Sequence, residues 1–312
     1  MNDIIKRKII LDCDPGHDDA IAILLAAGNP SIDLLAITTV GGNAGVTHTT
    51  RNALQVCEVA NIPHVPVYRG CSDPLVRKGE TAAEIHGESG MEGPVLPEPT
   101  RSAEKEHAVD YIVRTLLASE GDITLVAVGP LTNIAMAMRK DAAILPKIKE
   151  IVIMGGGTFG NWTPAAEFNI YVDAEAAKVV FDSGVPIVMM GLDLTHQASA
   201  TGEVAEQIAQ IDTPAGRLVN DLLIFFRKTY QDMFDIADPP VHDVCCIAYC
   251  IDPTVVECKH YRVDIETKGE LTYGMTLVDR HNVTGLAPNV QFAYKLDHSK
   301  FWGLVKDALA AL

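Results

Sequence analysis

Short runs that are apolar at nearly every position alternate along this chain with longer stretches in which apolar residues return every three or four positions. The first kind covers 8–13, 34–40, 65–68, 123–128, 151–154 and 187–190, and such runs predict strands of a parallel sheet buried on both faces. The second kind covers 20–27, 49–60, 108–119, 131–139, 174–182, 215–234 and the terminal 299–312, and it predicts helices. Strand and helix in turn make βαβ units. From 261 to 296 strand-like segments follow one another without an intervening helix. The expected fold class is therefore α/β: a mostly parallel, doubly wound sheet flanked by helices, with an antiparallel extension near the C-terminus. No internal repeat or low-complexity linker interrupts the 312 residues, so a single domain, 1–312, is expected.

In sheets of this kind ligands bind beyond the carboxyl ends of the strands, so polar residues there bear most on function. The first strand runs into Asp12-Cys13-Asp14-Pro15-Gly16-His17-Asp18-Asp19, four carboxylates in eight residues. Asp12 and Asp14 share one side of an extended strand, and Pro15-Gly16 turns the chain so that Asp18 and Asp19 return to the same mouth. Helix capping explains one such residue, not all four. The set needs a cation, and oxygen donors without sulfur or paired histidines select calcium or magnesium over zinc. Calcium is the expected ion. Phosphatases of the haloacid dehalogenase type also carry DxD after a first strand. Gly16 stands where that pattern wants Thr or Val, and no Lys or Arg phosphate clamp lies near the aspartates.

Other predicted strand ends carry polar segments of their own. Val40-Gly41-Gly42-Asn43 places a carboxamide there, and Gly129-Pro130-Leu131-Thr132-Asn133 closes the strand at 123–128. His86-Gly87-Glu88-Ser89-Gly90 forms a further loop. The run from Gly155 to Gly160 satisfies GxGxxG, but Pro164 soon after argues against the helix that a dinucleotide site needs. Between Asn161 and Asn169, two carboxamides and Glu167 suit ribose hydroxyls, while Phe168 suits stacking on a base or the ribose. Val241-His242-Asp243-Val244 opens a helix.

The run IILDCDPGHDDAIAI is similar to the amino-terminal signature of the inosine-uridine preferring nucleoside hydrolase family, and the later segments resemble that family's in the same order over nearly the whole chain. The resemblance implies hydrolysis of the N-glycosidic bond of ribonucleosides, uridine, cytidine or inosine, to ribose and free base in nucleoside salvage. It implies calcium held by Asp14, Asp19, Asp243 and the backbone carbonyl of Val128. Asp18, Asn161, Glu167 and Asn169 would hold ribose over Met154, with Asn43 and His86 in the substrate set. The stretch between Gly157 and Asn161 is one residue shorter than the family's. The His-Asp pair marks one subgroup, with His242 facing the nucleobase and Tyr230 and Phe234, at helical spacing, lining its pocket. Asp14 is then ligand and general base, Asp12 supports the cluster, and His242 is the proton donor to the departing base. Tyr230 resembles broader-specificity members, which favours acceptance of both inosine and uridine; a pyrimidine-restricted enzyme is the alternative. The non-enzymatic alternative is a nucleoside- or ribose-binding protein.

Composition narrows the partners. A formal net charge of -16, from 25 basic and 41 acidic residues, repels a polyphosphate backbone. The basic cluster at 6–8 leads into just three apolar residues before Asp12, so it begins no signal peptide. No apolar run reaches membrane-spanning length. The cysteines number seven, an odd count, and show neither CxxC pairs nor zinc spacing, so they read as reduced thiols of a cytoplasmic protein. Cys246 and Cys250 read as small buried hydrophobes. Family resemblance further implies a homodimer or homotetramer, with no nucleic-acid or membrane partner.

Overall fold

A computed structural model describes residues 6–312. Its strands are β1 (Arg7–Cys13), β2 (Ile32–Thr39), β3 (Val67–Arg69), β4 (Ile123–Ala127), β5 (Ile148–Met154), β6 (Ile187–Met190), β7 (Val256–Ile265), β8 (Thr276–Asp279) and β9 (Val290–Leu296). They form one sheet in the order β3-β2-β1-β4-β5-β6-β9-β7-β8. From β3 through β9 in that order all neighbours are parallel, and β7 runs antiparallel to both β9 and β8. The α/β architecture with an antiparallel C-terminal extension is thus present as predicted.

Successive strand residues feed opposite layers, which is why these runs are apolar throughout. Ile9 and Leu11 face the helices His17–Gly28, Val46–Val59, Pro214–Phe234, Val244–Ile251 and His298–Ala311. Ile10 faces Ala108–Ala118, Thr132–Lys140 and Ala174–Phe181. The chain lays down β1, β2 and β3 in one direction, then returns to place β4 on the other side of β1. The direction of winding reverses between β1 and β4, and a crevice opens at their carboxyl ends.

The first helix starts at His17, not at Ala20 as the apolar periodicity suggests. Asp19 explains the difference: its Oδ2 accepts from the Gly16 amide at 2.8 Å and its Oδ1 from the Asp14 amide at 3.1 Å, closing the first turn. Asp18 and Asp19 therefore sit inside the helix, at the end where its dipole favours anions. The short helices Phe168–Val172, Leu192–Thr195 and Gly202–Ala209 were not predicted. Elements of at most eight residues give little periodicity, and side-chain caps from Glu167 and Thr201 start the first and third of them.

Candidate active site

The loops at the β1 and β4 ends meet in a cavity of about 260 Å³. Of the residues expected in the site, Asp18, Asn43, His86, Val128, Met154, Asn161, Glu167, Phe168, Asn169, Tyr230, Phe234, His242 and Asp243 line it. Asp14 and Asp19 lie beneath its floor, fully buried.

The floor is built from carboxylates. Asp18, Asp19 and Asp243 bring oxygens within 4.8 Å of one another, and all three are buried. The expected ligand set had Asp14 where this trio has Asp18. Asp14 packs alongside: a Cβ added at Gly42 or Gly129 would collide with its carboxylate, so those glycines make its berth. Its Oδ2 accepts from the Asn43 amide at 2.7 Å, while Oδ1 is buried and has no hydrogen-bond partner. Asn43 also donates through Nδ2 to Asp14 O and Asp19 Oδ2 at 3.2 and 3.1 Å, bracing the loop. Asp18 Oδ2 accepts from the His242 and Asp243 amides at 2.9 and 3.4 Å, which ties the first helix to the start of the helix Val244–Ile251.

No lysine or arginine among the described residues pairs with these carboxylates. Burial first, then mutual repulsion, pushes Asp14 and Asp243 well above the usual carboxylate range and Asp18 to about 7. An orphaned buried oxygen and an all-oxygen anionic set fit a hard divalent cation. Beneath them Asp12 Oδ1 accepts from Asn133 Nδ2 at 2.8 Å and from the Thr38 hydroxyl. Asn133 binds the Thr39 carbonyl and the Cys71 amide as well, joining the ends of β1 and β2 to the chain after β3.

One wall is the loop after β5. Glu167 caps the helix Phe168–Val172: Oε1 accepts from the Asn169 amide at 2.9 Å, and Oε2 from the Gly156 and Ile170 amides at 2.8 and 3.1 Å. Burial raises its pKa to about 7 despite those bonds. Asn169 Nδ2 donates to the Val128 carbonyl at 2.8 Å and to Met154 O at 3.2 Å. Asn161 Oδ1 accepts from the Phe168 amide at 3.0 Å, which seats Asn161 at the cavity with its side-chain Nδ2 making no hydrogen bond to the described residues. No dinucleotide-type helix follows Gly155 to Gly160, where the chain is irregular up to Phe168.

The opposite wall is aromatic. Phe226, Tyr230 and Phe234 stack up one face of the helix Pro214–Phe234, with centroids 4.7 and 5.3 Å apart, and Phe234 stays half exposed at the rim. Tyr230 OH lies 3.5 Å from His242 Nε2, and Thr195 Oγ1 lies 2.7 Å from His242 Nδ1. Burial, with help from neighbouring His196, holds the His242 imidazole neutral, its pKa lowered to about 3. Thr195 and the cavity-lining His196 and Phe226 escaped the sequence reading. Phe226 has the signal that found its neighbours, one turn before Tyr230. Thr195 ends a helix of four residues and His196 caps it, too short an element to show a face.

A family model for "Inosine-uridine preferring nucleoside hydrolase" matches residues 9–303. The chain is 52% identical over 306 residues, 97% of each partner, to a protein named pyrimidine-specific ribonucleoside hydrolase RihB from Escherichia coli O9:H4. Among solved structures it resembles a purine-preferring ribonucleoside hydrolase from Gardnerella vaginalis (34% identity, TM-score 0.91, 97% of this chain and 98% of that one). It resembles the plant nucleoside hydrolase PpNRh1 equally in shape (32% identity, TM-score 0.91, 98% and 99% covered).

Proposed function

The chain belongs to the inosine-uridine preferring nucleoside hydrolase family and hydrolyses the N-glycosidic bond of ribonucleosides, and we propose that it does so with calcium, with Asp14 as base, and with pyrimidine ribonucleosides as its better substrates. Metal dependence goes with the family and fits the buried acidic cluster; calcium is the finer reading. Asp14, Asp19, Asp243 and the Val128 carbonyl would hold the ion, with Asp18 near enough to join them. When bound, a divalent cation neutralises these carboxylates and acidifies the attacking water.

Breaking the bond leaves a cation-like ribosyl group and negative charge on the base. The buried Oδ1 of Asp14, without a protein partner, supports the reading of Asp14 as the proton acceptor for water. Glu167, Asn169, Asn161 and Asp18 grip ribose hydroxyls, and their backbone bonds orient them before substrate arrives. At the base end His242 is neutral, so it assists departure through a single N–H in its chain with Tyr230 and Thr195, not as a standing imidazolium.

Base preference is where the sequence expectation shifts. Tyr230 favoured joint acceptance of inosine and uridine, whereas relatives at 52% identity are named pyrimidine-specific, which supports the alternative. Comparing kcat/KM for uridine, cytidine and inosine tests this: pyrimidines should lead by at least tenfold, and equal efficiency would return the reading to broad specificity. Deoxyuridine should be poor, because each ribose-binding group left buried and unpaired costs about 1 to 3 kcal/mol. The free cysteines accord with a reducing cytoplasm, and no helix among the described residues is long and apolar enough to cross a membrane. One domain over 1–312 and a homodimeric or homotetrameric assembly complete the reading, and light scattering checks the latter.

A further inference from the structure

The His17 ring stacks on Phe225 and Phe226, with centroids 5.1 Å away in each case, and reaches His86 on the cavity wall. Its Nε2 lies 2.8 Å from the Glu92 carbonyl oxygen, and its Nδ1 lies 3.0 Å from His86 Nδ1. A carbonyl has no proton to give, so the hydrogen sits on His17 Nε2. The neutral ring is then bare at Nδ1, and the hydrogen between the two rings belongs to His86 Nδ1. The opposite assignment puts a bare His17 Nε2 against a carbonyl at 2.8 Å, two acceptors in contact. The His17 backbone N–H also points at His86 Nδ1, at 3.4 Å the longest of the three contacts, and this assignment leaves it without an acceptor there. Neither ring has a carboxylate partner among the described residues to hold a second proton. His86 Nε2 has no hydrogen-bond partner among the described residues and is not sealed from the cavity that His86 lines.

We propose that His17 is a positioning residue: anchored on the Glu92 carbonyl, it fixes His86 in the Nδ1–H tautomer, so that His86 meets the nucleoside as a hydrogen-bond acceptor at Nε2. The matching group on the substrate is an N–H or O–H, from the pyrimidine ring or from ribose. The identity of the ligand rests on the ribonucleoside reading above; the tautomer does not.

Proton–nitrogen correlation spectra of the calcium-loaded full chain, labelled in its histidines, separate the two claims because they need no substrate. The expected spectrum has His86 bare at Nε2 and His17 bare at Nδ1; a wild-type His86 protonated at Nε2 overturns the proposal even if the enzyme is fully active. His17→Phe keeps the stacking but removes the acceptor, so kcat/KM on uridine should fall roughly ten- to hundredfold, mainly through KM. His17→Asn, whose amide oxygen replaces Nδ1, should restore both the His86 tautomer and most of the efficiency. The His17→Phe penalty should vanish on N3-methyluridine if the base supplies the hydrogen, or on 5′-deoxyuridine if the sugar does. An equal penalty on uridine and both analogues, or a Phe variant unchanged in tautomer and kinetics, contradicts the proposal. Should the Phe variant not fold, the wild-type spectrum decides.

Discussion

Asp14, in the loop after β1, and Asp19, in the first turn of the helix that follows, carry the same charge, yet their surroundings differ. Both oxygens of Asp19 are taken by amides that close a helix turn and by Asn43, whereas Asp14 keeps one oxygen without a partner. Asp14→Asn preserves shape and removes the proposed base. Turnover should fall by about a hundredfold to ten-thousandfold while KM changes far less; equal changes in both would make Asp14 a binding residue only. The acidic run was legible because four carboxylates at a strand end have few uses. Its division of labour was not, since which oxygen meets which amide depends on the register of the first helix, and that helix begins three residues earlier than its apolar pattern. His17 was visible inside the motif but silent, because its partners Glu92, Phe225 and Phe226 come from distant segments.

The loop between β5 and the helix Phe168–Val172, proposed to bind ribose, is held from outside the cavity. Asp193 accepts from the Thr158 amide at 2.8 Å and from its hydroxyl at 2.6 Å, and Arg280 bonds both residues from the end of the antiparallel extension. Asp193 thereby fixes the loop carrying Asn161 to the short helix Leu192–Thr195, whose Thr195 is the partner of His242. Asp193→Ala should raise KM for uridine severalfold with a smaller effect on turnover, and a thermal shift should show a stability loss of only about 1 kcal/mol, as for partly exposed charged bonds. An unchanged KM would mean that the loop holds its shape unaided. Long strands and helices were legible from their periods, and the antiparallel extension from its missing helices. Elements of four or five residues were not, because caps such as Glu167 define them and periodicity does not.

On the scale of the whole molecule, one sheet reverses its winding between β1 and β4 and spends that crevice on a nest of carboxylates. Burial raises Asp12, Asp18 and Glu167 to about 7 in the metal-free protein. Their folded-state pKa values exceed the unfolded ones, so the stability linked to their protons is fully present below about pH 4 and lost as pH rises through about 7. Metal-free protein should therefore melt at progressively lower temperature from pH 5 to pH 8, and calcium should reverse most of that decline; a flat profile without metal would show that the cluster is relieved in some other way. The most direct test of the account is release of reducing sugar from uridine by enzyme dialysed against a chelator, before and after calcium is returned. The account predicts negligible release from the stripped enzyme and full recovery with calcium. Full activity without metal, or no sugar from uridine even with calcium, would contradict it.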